Sequence, residues 1–424
     1  MRQLTIVEKP RFFYGWIIAI ASFIIVLVIY GTYYSFGIFF EPVLTDFNWT
    51  RAATSGAFSL SFLVHGFQAI IAGRLNDRFG PRVVMTAYGF VLSLGYLLIS
   101  RTETIWQLYL FYGVLIGTGM GSGMVPITST INRWFIKRRG LITGIVLSGI
   151  GLGTILIPPT ASWIITTYGW HTSYLIIGII TLVLINPAAQ FLKRDPTQTR
   201  QVPYGEGELQ EKDLKLEADS FNLEQAIRTK QMWILCTIFL FFGLCIQTIL
   251  VHIVIHVTGL NISENMAASI LGIIGGTSII GRIILGSACD KIGSKLAIII
   301  GFIFLSASLI WLLVAKEVWM IYLFAIVFGL AYGGLVPLVS LAPAELFGLQ
   351  SHGVIMGIQA FTLTIGGAVG PILAGYIFDI NGSYNLAFVI LALSGISAII
   401  LTVFLRPINR KGDTSEPRRS TRFG

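Results

Sequence analysis

The sequence predicts an all-α membrane protein, with twelve transmembrane helices arranged as two six-helix pseudo-repeats. Composition is the first support. Of 424 residues, 54% are hydrophobic and only 12% are charged, and the mean hydropathy is +0.79. A soluble globular chain carries about 25% charged residues, so half of the charge that a water-facing surface needs is missing. The second support is the sidedness of Lys and Arg, and the third is an internal repeat.

A helix needs roughly 20 apolar residues to cross the hydrocarbon core. On that ruler spans one to six lie near 14–38, 53–73, 83–100, 106–131, 141–162 and 172–192. Spans seven to twelve lie near 232–257, 266–286, 296–315, 319–341, 353–377 and 384–405. Gly and Pro inside these runs (Gly117, Gly119, Gly121, Gly123, Pro126, Pro158, Pro159) are tolerated in membrane helices. The first apolar run, 12–40, exceeds the 7–15 residues typical of a signal-peptide core and reads as a retained span. Cys236, Cys245 and Cys289 fall in or beside apolar stretches, with neither metal-ligand spacing nor a disulfide framework.

Of the 29 Lys and Arg residues, 25 fall on one alternating set of connections and the two chain ends. Three (Arg51, Arg101, Lys316) fall on the other set, and Arg282 lies inside a span. The positive-inside rule then places both termini and the central connection in the cytoplasm, with the chain multi-pass in an inner or plasma membrane. The net charge of +9 is accordingly a topology signal near anionic lipid, not a nucleic-acid footprint. The expected organisation is a six-helix bundle over 1–192, a polar cytoplasmic linker over 193–231, a second bundle over 232–405, and a basic tail over 406–424. Within the linker, 208–216 has the composition of a short surface helix.

The halves echo each other. Gly73, Asp77, Arg78, Gly80 and Arg82 after span two recur as Gly286, Asp290, Lys291, Gly293 and Lys295 after span eight, offset by 213. Gly123-Met-Val-Pro126 in span four recurs as Gly334-Leu-Val-Pro337 in span ten, offset by 211. A tight turn needs Gly where backbones approach, and Asp there can cap a helix N-terminus while pairing with a cation. Gly73, Asp77, Arg78, Gly80, Arg82, Asp290, Lys291 and Gly293 are therefore candidates for a conformational latch.

This paired loop is similar to the loop signature of the major facilitator superfamily, in the position that superfamily gives it. Trp134-Phe135-Ile-Lys-Arg-Arg139 through Gly144, Ser148-Gly149-Ile-Gly151 and Pro158-Pro159 resembles the start of span five in the monocarboxylate porter family. Tyr14-Gly15-Trp16 resembles that family's other signature, with Phe12 and Phe13 in place of its preceding acidic residue and Gly. Asn132-Arg133-Trp134-Phe135 is shared with the bacterial oxalate/formate exchanger branch. A drug/proton antiporter would carry Gly-Pro and paired Gly in span five, where this chain has Gly153-Thr154. The resemblance covers the whole chain. It implies the major facilitator fold, alternating access between the halves, a functional monomer, and transport of a lactate- or pyruvate-like monocarboxylate with protons. Exchange of organic anions is the alternative.

Arg282 carries most of the substrate argument. An Arg near the bilayer centre costs about 2.5–3.5 kcal/mol even on the mildest scale. It either snorkels toward the headgroups or pairs with a carboxylate, and the resemblance implies the second role. In place of the Asp one turn earlier in eukaryotic porters stands Ser278. In place of the Lys in span one stands Tyr34, and in place of the exchanger's Lys in span eleven stands Gln359. One cavity cation favours one carboxylate. Tyr30 and Tyr34 share a helical face, and Tyr332 sits mid-span ten; each either shapes the site or packs between helices. Ser122 and Met124 are weaker candidates.

No Asp or Glu lies well inside a span, so the titratable options for proton coupling are His65, His252 and His256, each otherwise a satisfied interfacial residue. No Ser/His/Asp, metal-ligand or paired-carboxylate constellation appears, so neither an enzyme nor a cofactor is expected.

Overall fold

The computed structural model describes residues 12–47, 49, 51–205, 220–260, 262 and 264–406. Segment 208–216, residues 1–11 and the tail beyond Arg406 lie outside the described residues. Among the described residues the fold is helical, and its one β pairing is the bridge between Phe135 and Tyr204.

Among the described residues, ten helices are long and apolar enough to cross a membrane. Two of them are double length. Arg139–Gln190 runs for 52 residues, roughly 78 Å at 1.5 Å per residue and far more than a bilayer of about 30 Å can cover. Glu264–Leu312 runs for 49 residues. Each is broken by a glycine in an extended, positive-φ conformation: Gly169 (φ 82°, ψ 162°) and Gly293 (φ 80°, ψ 163°). Both turns therefore reverse the chain without a loop, and the ten helical runs make twelve spans among the described residues. Gly80 (φ 83°, ψ 167°) turns span two (Arg51–Phe79) into span three (Pro81–Ile99) in the same way. Only glycine adopts this region cheaply, and Pro81 follows at the first helical position, where its missing N–H costs nothing.

The repeat seen in sequence is a repeat of backbone. Gly80 and Gly293 are 213 residues apart, and so are Gly169 and Gly382, the second of which has φ 65°. Close glycine approaches follow the same offset. Gly153 of span five abuts Leu27 O in span one, and Gly366 of span eleven abuts Leu240 O in span seven (Lys230–Thr258). Between the halves, Gly73 of span two meets Gly353 O of span eleven, and Gly286 of span eight meets Gly140 O of span five. Without a hydrophobic force between helices in lipid, such small-residue contacts are what allow close packing.

The Gly117–Gly123 run packs as its spacing suggests. Gly117 and Gly121 lie on span two, Gly119 on Leu92 of span three, and Gly123 against Ile29 and Tyr30 of span one. Span four nevertheless departs from its counterpart. It is α over Ile105–Leu108, π over Tyr109–Ile116, α over Gly117–Met120, a turn at 121–124, and α again over Val125–Trp134. Span ten, Val318–Phe347, is one continuous helix with Pro337 and Pro343 inside it. The offsets supply a reason. From Gly80 to Gly123 is 43 residues and from Gly293 to Gly334 is 41, so the first half carries two extra residues before its Gly-x-Val-Pro motif. A π-helix is the local form that absorbs insertions into an α-helix.

Both described chain ends lie on one face. Tyr14 at the start of span one donates its hydroxyl to Phe191 O after span six, and Arg406 N after span twelve donates to Gln231 Oε1 before span seven. Lys295 Nζ donates to Val403 O and Leu405 O. We call this the terminal face. Both ends of the central connection dock there at positions 213 apart: Tyr204 N donates to Trp134 O (2.9 Å), and Phe221 N to Phe347 O (2.9 Å). Between span six and span seven the described parts of this connection are a 3-10 turn, Pro196–Thr199, and a short helix, Leu223–Ile227.

Candidate functional site

A cavity of about 120 Å³ opens between the halves, with polar wall residues Tyr30, Tyr34, His65, Gln247, Tyr332 and Thr364. Phe62, Phe242, Val336 and Leu363 supply part of its apolar wall. A water's share of liquid volume is about 30 Å³, so the space suits a ligand of a few heavy atoms. Tyr30 and Tyr34, one turn apart, both face it with rings 6.3 Å apart. Tyr33 does not; its hydroxyl lies 3.2 Å from Ser61 Oγ between spans one and two.

Arg282 is buried, with 1% of its surface exposed, so it does not snorkel. Its Nη1 donates to Ser278 Oγ at 2.8 Å, one helical turn earlier, and its Nη2 reaches Tyr332 Oη at 3.5 Å. The guanidinium carbon stands 5.4 Å from the centre of the Tyr332 ring, within range for a cation–π contact. Nε has no hydrogen-bond partner and no carboxylate pairs with the group among the described residues. Arg282 thus stands buried behind the wall residue Tyr332, with no anionic partner among the described residues. Such a group is costly unless paired.

Gln359 is also fully buried, and neither amide atom has a partner among the described residues. It lies one turn before Leu363, a wall residue. Met124 lines the cavity, whereas Ser122 Oγ is spent on Gly119 O. The three histidines separate. His65 is at the wall, with a buried Nδ1 lacking a partner among the described residues. His252 bonds Tyr384 Oη (3.1 Å) and Pro371 O (3.0 Å), and His256 stands edge-on to Phe388. His252 and His256 therefore pack against span twelve, away from the cavity. Sequence reasoning passed over Gln247 and Thr364, although a polar residue within an apolar run was the available signal.

Of the candidate latch residues on the terminal face, Asp77 and Asp290 reach across the halves. Asp77 accepts from Gly353 N (3.2 Å) and Val354 N (3.0 Å) at the start of span eleven. Asp290 accepts from Gly140 N (2.6 Å) and Leu141 N (2.9 Å) at the start of span five. Each carboxylate thus satisfies two orphan N–H groups at the positive end of a helix in the opposite half. Arg133 stands 3.9 Å from Asp77 and donates to Leu349 O at 2.6 Å. Glu345 caps Ser294 N after Gly293. Arg82 bonds Gln190, and Arg78 covers Phe79, so these two act within the first half. Gly37, Gly272, Gly275 and Gly276, remote from this face, have no atom within 4 Å of where a side chain would begin. The halves are therefore drawn together at the terminal face.

The sequence model of the Major Facilitator Superfamily matches residues 22–359 and 257–423, together almost the whole chain. The chain belongs to the major facilitator superfamily. Its fold is that of the proton:xylose symporter XylE, with a TM-score of 0.70 at 14% identity over 92% of this chain and 95% of that one. Among curated relatives, monocarboxylate transporter 13 of Rattus norvegicus is 26% identical over 385 residues, 90% of this chain and 87% of that protein. The oxalate:formate antiporter of Oxalobacter formigenes is 27% identical over 408 residues, 92% and 91% respectively. These relatives agree with the monocarboxylate porter branch of the superfamily. The protein is a multi-pass membrane transporter, not an enzyme. A cavity between two related halves, closed at one face by reciprocal caps, is the arrangement that alternating access uses.

Proposed function

We propose that the protein transports small monocarboxylates of the lactate or pyruvate kind together with protons, by alternating access about Arg282. It works as a monomer in an inner or plasma membrane, with the terminal face in the cytoplasm. The observation that carries this reading is the guanidinium of Arg282, fully buried behind the wall residue Tyr332 without a carboxylate partner among the described residues. A substrate carboxylate supplies the missing charge, and Arg geometry favours two parallel hydrogen bonds to it. One Arg stands behind the wall residue Tyr332, and among the described residues the wall itself includes no Lys, which suits one carboxylate better than two. Tyr30, Tyr34 and Tyr332 present hydroxyls to the rest of a hydroxy- or oxo-acid, Ser278 holds Arg282 in place, and Gln359 offers an unused amide. His65 is the one titratable imidazole at the cavity wall among the described residues and is the candidate proton carrier. Among the described residues the cavity wall has no carboxylate, and this favours a second reading, exchange of organic anions without a proton carrier.

Reconstitution in proteoliposomes separates the readings. Uptake of labelled lactate, pyruvate, formate and oxalate is measured with an imposed pH gradient and an empty lumen, then with internal anion and no gradient. Gradient-driven uptake without internal anion is expected. Uptake that requires internal anion would replace symport by exchange. Unchanged uptake in inserted Arg282→Ala would overturn the anchor role.

A further inference from the structure

Asn132 of span four, Ser340 of span ten and His352 at the head of span eleven are each wholly buried where the two halves meet at the terminal face. Asn132 Nδ2 lies 2.9 Å from Ser340 Oγ, joining one half to the other. His352 Nε2 lies 3.0 Å from Ser340 O and 3.3 Å from Asn132 Nδ2. Ser340 O, the nearer of the two, only accepts, so the neutral ring is assigned its proton on Nε2. Asn132 Nδ2, itself a donor, is then a neighbour of Nε2 and not its hydrogen-bond partner. Nδ1 is buried and has no partner among the described residues. A second proton would have to sit there, as a charged N–H with no acceptor.

The charged groups around the ring do not supply one. Arg133 of span four and Arg139 of span five are the cations near enough to act on it. Asp77 of span two is engaged by Gly353 N, Val354 N and Arg133. Glu345 of span ten caps Ser294 N. The closed seam therefore tolerates a neutral His352 and opposes a cationic one. His352 directly precedes Gly353 and Val354, the residues held by Asp77, so its displacement acts on the latch itself.

We propose that His352 is a proton-binding site of the terminal-face gate, and that protonating it opens that gate. The closed state holds the ring neutral, and parting of the halves gives Nδ1 water as an acceptor. Protons binding more tightly to the open state shift the population toward it. This goes beyond the carboxylate reading: it concerns the gate and holds whatever the substrate.

The test uses the full chain in lipid nanodiscs without substrate. Nitroxide labels are placed at V83C and L296C, exposed positions at the heads of spans three and nine and outside the latch, with the native cysteines buried. Between pH 8 and pH 5 the ratio of long to short distances is expected to rise at least about tenfold, one proton allowing up to about tenfold per pH unit. In His352→Gln the rise is expected to fall below about twofold, within what one-proton linkage alone would exceed. Asn132→Asp, which gives the cationic ring a carboxylate, is expected to keep the gate closed in acid. Should His352→Gln not fold, Asn132→Asp carries the test. No widening in the unsubstituted gate, or full widening in either variant, overturns the proposal. Transport is not read, so failure of the carboxylate reading leaves this outcome separate.

Discussion

Asp290 and Gly140 belong to different halves of the molecule, and the Asp290 carboxylate lies 2.6 Å from the Gly140 amide. Exactly one repeat away, the Asp77 carboxylate lies 3.2 Å from the Gly353 amide in the opposite sense. The contact is therefore reciprocal: each half caps a helix of the other at its N-terminus. A hydrogen bond to a charged group contributes about 1.5–3 kcal/mol, and the helix dipole adds about 0.3–1 kcal/mol.

Asp77→Asn and Asp290→Asn keep side-chain shape and lose the charge. Each is expected to weaken closure at the terminal face by at least about 1–2 kcal/mol, since the amide oxygen makes the weaker bond to one N–H and the amide nitrogen cannot accept from the other. Initial uptake rates in proteoliposomes should fall several-fold at equal insertion, and the double variant should be worse than either alone. Uptake equal to that of the unsubstituted protein in both single variants would mean that the caps do not limit the cycle.

The same composition was legible in sequence, but its partners were not. The recurrence of Gly, Asp and a basic residue marked these turns as latch candidates, while the helix that donates to Asp77 lies 276 residues away, beyond the reach of local pattern. Arg282 stood out because a lone cation in an apolar run is expensive wherever it points. That Ser278 and Tyr332 hold it came only from packing. His65, His252 and His256 looked alike in sequence because each is a lone His in apolar surroundings; only tertiary contacts separate a cavity residue from two that face span twelve. The break in span four had a trace, the two-residue difference between its offset and that of the latch. Gly and Pro gave no further warning, since membrane helices tolerate both.

Arg282→Lys separates charge from geometry. Lys keeps the positive charge but offers a point charge in place of a planar fork. The apparent KM for a monocarboxylate is expected to rise at least about tenfold, equivalent to about 1.4 kcal/mol, with kcat less affected. Tyr332→Phe keeps the ring that stands 5.4 Å from the guanidinium carbon and loses only a hydroxyl at 3.5 Å. Its cost should be under about 1 kcal/mol. A larger loss in Tyr332→Phe than in Arg282→Lys would assign the anchor to the tyrosine hydroxyl.

His65→Gln and His252→Gln distinguish a cavity histidine from a structural one. His252 has both ring nitrogens engaged, by Tyr384 and Pro371. Its substitution should lower thermal stability in detergent by about 1–3 kcal/mol, through the buried partners left unsatisfied, with the pH dependence of uptake unchanged. His65→Gln should alter that pH dependence with little effect on melting. The reverse pattern would move the proton carrier out of the cavity.

Gly286 and Gly140 test whether backbone contact at the terminal face is obligatory. A Cβ on Gly286 meets Gly140 O, and one on Gly140 meets Gly286 O. In both cases the obstacle is backbone, which cannot rotate away as a side chain would, and overpacking of this kind costs about 1–3 kcal/mol. Gly286→Leu is therefore expected to hold the terminal face apart while leaving each six-helix half intact, because the clash lies between the halves and not within one. Cysteines placed at the cavity-lining positions Val339 and Ala360 should then become reactive to a water-soluble thiol reagent applied from the terminal face, and uptake should stop. If those cysteines stay protected and uptake continues, the halves have another way of meeting at this face, and the close approach of Gly140 and Gly286 is incidental to the cycle.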